Sequence, residues 1–116
     1  MGLEQERIMN NFKKLSEAMQ FSAEKMKKNG IFETKSFFCD LYCFEPGQTQ
    51  PAHTHEGSDK IYYVIKGKGL FQVGGEERQL GEGEIAIAES GQKHGVANSG
   101  TERLVVLVYM APKPSH

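Results

Sequence analysis

A chain of 116 residues is a single domain by length, and 38% hydrophobic with 25% charged residues is a composition that folds rather than stays disordered. Fourteen basic against fifteen acidic residues leave a net charge of −1, which excludes nucleic acid as the main partner, because binding phosphates wants a strongly basic face. The longest apolar run, residues 104–111, holds eight residues interrupted by Tyr109. A membrane span needs about 20, and no basic stretch leads into an apolar one as in a leader peptide, so the expectation is a cytoplasmic protein away from membranes.

At the N-terminus, Ile8, Phe12, Leu15 and Met19 recur at spacings of four, three and four, one face of an amphipathic helix. A second short helix or turn is expected over 22–28 with Ser22 as its cap, and Asn29-Gly30 reads as the stop. Lys25, Lys27 and Lys28 form a small basic cluster there, read as a solvated helix end. Residues 1–30 are thus expected to be a short N-terminal helical extension.

After Gly30 the pattern changes to strand, turn, strand. Candidate strands are 31–34, 37–44, 61–65, 70–73, 76–80, 85–88, 96–98 and 104–110, and eleven of the thirteen glycines fall between Gly47 and Gly100. Gly74-Gly75 between two of these runs is a strong hairpin signal. Many short strands at this spacing predict an all-β sandwich or barrel over 31–111. Residues 112–116, with two prolines, read as a frayed tail. Cys39 and Cys43 lie four apart in a strand, about 13 Å from each other, too far for a disulfide; both read as reduced, buried side chains.

The chemistry concentrates in three histidines. His53 and His55 are two apart, so a strand places both rings on one face. His94 follows after another glycine turn, and His116 is set aside as terminal. Neutral imidazole is the commonest transition-metal ligand. Three of them with open positions suit a site that binds further molecules rather than a closed structural one.

The surroundings resemble the cupin superfamily, small barrels of double-stranded β-helix (jelly-roll) fold. Its first motif runs glycine, five residues, His-x-His, three or four residues, glutamate, six residues, glycine; here stand Gly47, His53, His55, Lys60 and Gly67 at those spacings. Its second runs glycine, five residues, Pro-x-Gly, two residues, histidine, three residues, asparagine; here stand Gly83, Glu89, Gly91, His94 and Asn98. The resemblance covers about two-thirds of the chain. It implies a divalent metal in the barrel held by His53, His55 and His94, with iron, nickel, manganese and zinc all compatible. It implies a small-molecule ligand and a homodimer, and leaves open a metal-dependent oxygenase, an isomerase, or a non-catalytic binding or sensing protein, with or without metal.

Two positions depart from the motifs. Glu89 replaces the proline, a change expected to be structural. Lys60 replaces the glutamate, and an ammonium cannot ligate. Either Asp59 supplies the carboxylate through a local bulge, or the three histidines hold the metal alone; an inward Lys60, with Tyr62 and Val64, turns Asp59 away. Lys60 itself reads as a rim lysine, as an anchor for a carboxylate-bearing substrate, or as a replacement for the metal. Tyr62 or Tyr63 faces the cavity, where Tyr62 is a candidate substrate contact. Gln48 and Gln50 read as rim residues or as donors behind the histidines.

Overall fold

The computed structural model describes residues 10–114. Among the described residues, nine strands make two antiparallel sheets: β1 (Lys27–Glu33), β2 (Phe38–Phe44), β3 (Thr49–His53), β4 (Asp59–Lys66), β5 (Lys68–Val73), β6 (Glu76–Gly81), β7 (Ile85–Ala88), β8 (His94–Ala97) and β9 (Leu104–Ala111). One sheet has the order β1-β2-β9-β4-β7 and the other β3-β8-β5-β6. Alternation assigns the faces. Tyr42 and Phe44, Tyr62 and Val64, and Val106 and Val108 point between the sheets and form the buried core with Phe71 and Val96. Fully burying each such side chain stabilises the fold by about 1.5–3 kcal/mol.

The opposite face of the five-stranded sheet is apolar too. Leu41, Cys43 and Val105 are buried there beneath Leu15, Ala18, Met19 and Phe21 of the N-terminal segment. Arg103 fastens this cover: its guanidinium lies 4.1 Å from the Phe21 ring centroid and donates to both oxygens of Glu45. Both cysteines are free, as expected.

The N-terminal helical extension is small. Among the described residues the expected face gives one 3-10 turn, Leu15–Ala18. Leu15 and Met19 pack as the spacing requires, but Phe12 is 85% exposed, and Ile8 lies outside the described residues. Over 22–28 the turn alternative holds rather than a helix: residues 23–25 bend, Ser22 Oγ accepts the Glu24 N–H, and β1 begins at Lys27 and runs through the Asn29-Gly30 pair. The physical reason is the open edge of β2. Pairing with β2 satisfies a whole ladder of backbone groups, and Asn29 Nδ2 adds bonds to the carbonyls of Gln20 and Leu41. Local periodicity offers less. At the other end, Pro112 and Lys113 are held: Ser58 Oγ donates to the Pro112 carbonyl, Lys113 N donates to the Ser36 carbonyl, and Lys113 pairs with Glu33. Ser115 and His116 lie outside the described residues.

Two strands were not legible as drawn. β3 contains Pro51, which a central strand excludes; β3 is an edge strand, where proline costs nothing in the ladder. β8 begins at His94, two residues before the expected start.

Candidate metal centre

Gly95 sets the geometry. A Cβ built there would stand 2.9 Å from Ala52 Cα and N and from the Gln50 carbonyl oxygen. Only glycine lets β8 approach β3 this closely. The approach pairs His53 directly with His94 in register, just past an irregularity between Gln50 and His53. His55, just beyond β3, turns its ring edge-on to His53.

The ring centroids of His53, His55 and His94 lie 4.4 to 5.7 Å apart, and one ligand nitrogen from each falls within 4.8 Å of the others. Two of the rings are oriented by the same local device. His53 Nδ1–H donates to the Pro51 carbonyl at 2.9 Å, and His94 Nδ1–H to the Gln92 carbonyl at 2.8 Å. A carbonyl only accepts, so each Nδ1 carries the proton and each Nε2 keeps its lone pair. His94 Nε2 is buried with no partner. Burial lowers the His94 pKa to about 4, against the opposing Gln92 bond, with smaller contributions from Lys60 and the other two histidines. Burial likewise lowers His53. Two neutral rings that keep Nε2 unprotonated, with a third histidine whose ligand atom lies within 4.8 Å of theirs, fit a divalent transition metal, and the unpartnered buried His94 Nε2 is the acceptor such an ion satisfies.

Asp59 stands apart from this group. It is exposed, and its carboxylate accepts the Ser90 backbone N–H at 2.9 Å, tying down the loop that leads to His94. Glu89 shows why the motif proline is dispensable: its own N–H donates to Gln92 Oε1, a bond proline could not make. Asn98 fastens the turn after β8 through bonds to the Phe44 and Glu102 carbonyls.

Lys60 faces inward and is 2% exposed, paired across the sheet with Ala88 and Met110. Its Nζ lies 5.3 Å from the ring centroids of both Tyr42 and Tyr62. Burial, then the Lys28 charge, lowers its pKa to about 8, and Asp40 opposes this. Tyr62 is fully buried, its ring 6.2 Å from that of His94, while Tyr63 faces outward. Tyr62 Oη donates to Gln50 Oε1 at 3.2 Å. Gln50 is therefore no rim residue: it is 4% exposed, and its Nε2 is buried without a partner. Gln48 instead braces the chain, accepting from Glu45 N and donating to Ser22 O. Asp40, Tyr42 and Lys28 also belong to this region and were missed. The alternation Phe38, Asp40, Tyr42, Phe44 along β2 is the signal that places Asp40 and Tyr42 inside.

Residues 40–110 match the Cupin domain family. The chain belongs to the cupin family. A crystal structure of a Thermus thermophilus protein superposes with TM-score 0.87 at 41% identity, covering 89% of this cupin and 98% of that chain. A Klebsiella pneumoniae protein with a double-stranded β-helix domain superposes with TM-score 0.83 at 29% identity, covering 89% and 90%. An oxalate-binding protein of Thermotoga maritima is 34% identical over 62 residues, 53% of this cupin and 51% of that protein. The cupin spans about half the length of the curated relatives it matches first.

Proposed function

We propose that this cupin binds one divalent transition metal through His53, His55 and His94, and that the site takes a small polar molecule. The observation that carries the reading is the convergence of three imidazoles, with the Nε2 of His94 buried and unpartnered. A bound divalent ion would supply Lewis acidity toward an oxygen of that molecule, with coordination positions left open by three protein ligands. The chain's own residues do the rest. The Pro51 and Gln92 carbonyls hold two rings in the ligating tautomer. Lys60 and Tyr62 border the ligand, and Gln50 fixes the Tyr62 hydroxyl. Asp59 serves the loop rather than the metal. Iron, nickel, manganese and zinc all suit this donor set, and the reaction class that fits is a metal-dependent oxygenase or isomerase.

The second reading is a binding or sensing protein without catalysis, favoured by the oxalate-binding relative. We place the protein in the cytoplasm, where both thiols stay reduced. We assign it a homodimer through the outer face of β4, β7 and β9, where Tyr63, Ile85, Ile87 and Tyr109 are exposed, Ile85 by 61%.

The test is elemental analysis of protein purified without added metal, beside His53→Ala, followed by oxygen consumption and product analysis over small acids and diols. The expected result is about one metal per chain and its loss in the variant. Full metal retention by the variant contradicts the site. Metal without turnover on any compound selects the binding reading.

A further inference from the structure

Lys60 is the residue that metal binding leaves unexplained. An ammonium taken out of water costs several kcal/mol unless partners replace its hydration. Among the described residues the ion pairs are Arg78–Glu76, Arg103–Glu45 and Lys113–Glu33, and Lys60 enters none of them. It rests against the faces of Tyr42 and Tyr62, which offset only part of that cost. Asp40 acts on it from beyond salt-bridge distance, and burial raises the Asp40 pKa against the opposing Lys28 and Lys60 charges.

A second cation shares the same wall. Lys28 Nζ stands 5.4 Å from the Tyr42 ring centroid, so two lysines contact one tyrosine. Lys28 also lines a groove of about 460 Å³ along the seam between β1 and β3, with Lys25, Lys27 and Gln50. The basic cluster of the sequence thus shares a groove with Gln50, the residue that accepts from the Tyr62 hydroxyl. The buried Gln50 amide offers a further donor without an acceptor. Two lysines face one carboxylate, and a divalent ion on neutral histidines adds two more positive charges. Positive charge in the region thus exceeds negative, and an anionic ligand is the species that would balance it.

We infer that the ligand of this site is a small organic carboxylate whose charge is held by Lys60, with Lys28 and the lysine groove favouring its entry. The inference rests on the metal reading for the ligand's second anchor only. Steering by the groove follows from the ordinary effect of a single-signed cleft on the local concentration of a charged ligand.

The experiment is calorimetric titration of the metal-loaded protein with glycolate, pyruvate and succinate, each against its uncharged amide, which is similar in size. At least one carboxylate is expected to bind about tenfold or more tighter than its amide, since a hydrogen bond to a charged group contributes about 1.5–3 kcal/mol. Lys60→Met, which keeps length and apolar stem, is expected to weaken that carboxylate about 10–100-fold while leaving its amide and the metal content unchanged. Lys28→Gln is expected to weaken it by about fivefold or less, as for an exposed charge. Amides binding as tightly as carboxylates, no carboxylate binding, or wild-type affinity in Lys60→Met each overturn the inference. Where Lys60→Met fails to fold, the carboxylate–amide comparison on the unaltered protein decides. Metal content is measured first: its absence contradicts the metal reading, while the same comparison still decides the anion claim.

Discussion

Gly95→Ala is the perturbation that joins fold to site. The added Cβ meets Ala52 Cα, Ala52 N and the Gln50 carbonyl oxygen, all at 2.9 Å and all backbone, so no rotamer change relieves it. Gly95 is not among the glycines with positive φ, so the cost is steric alone. Relief requires β3 to move from β8, at a cost of about 1–3 kcal/mol for overpacking. For a domain of this size that lowers the melting temperature by roughly 4–12 °C. The movement acts on the His53–His94 register pair, so metal affinity falls together with stability. Gly75→Ala is the control: nothing lies within 4 Å of its Cβ position and its φ is not positive. Circular dichroism melts with metal analysis after dialysis read both effects. A Gly95→Ala protein that melts within about 2 °C of the parent and keeps its metal refutes the reasoning.

Further outcomes follow from the same geometry. In metal-free protein, His94 has its folded pKa lowered to about 4 from 6.5, so its contribution is fully present above 6.5 and is lost as pH falls toward 4. The loss is about 3 kcal/mol, read as a fall in urea midpoint across that window that flattens in His94→Gln. Asp59→Asn is expected to leave metal stoichiometry unchanged, since its carboxylate serves the Ser90 N–H; loss of metal comparable to a histidine variant restores Asp59 as a ligand. Lys60→Glu, inward at the position of the family's usual carboxylate, is expected to tighten metal binding, measured by competition with a chelator; unchanged affinity places residue 60 away from the metal. Ile87→Glu, on the exposed face of β7, is expected to turn a dimer into a monomer in sedimentation; a parent that is monomeric at all concentrations defeats the dimer.

What could be read from the sequence was what local chemistry controls. The Gly74-Gly75 hairpin joins β5 to β6 as its dipeptide requires. Tyr62 and Tyr63 divide between inside and outside because strand alternation is strict. The two motif spacings single out His53, His55 and His94, which the fold brings together. What was not legible depends on partners distant in sequence. β3 is a strand because it lies on an edge where Pro51 is tolerated, a fact of sheet order. Asn29-Gly30 carries a helix-stop signal, yet it lies within β1 because the edge of β2 needed covering. Gln50 looked like a rim residue until the Tyr62 hydroxyl came to it across the barrel. Lys28 reads as a helix-end charge and becomes a neighbour of Lys60 only through the pairing of β1 with β2.

The most direct test of the metal centre is anomalous diffraction from crystals of the protein carrying the metal it retains on purification. The expected result is one anomalous peak about 2.0–2.3 Å from a ring nitrogen of each of His53, His55 and His94, with Lys60 Nζ outside the coordination sphere. A peak placed elsewhere, for example on Asp59, or three rings closed on one another with no peak between them, contradicts it.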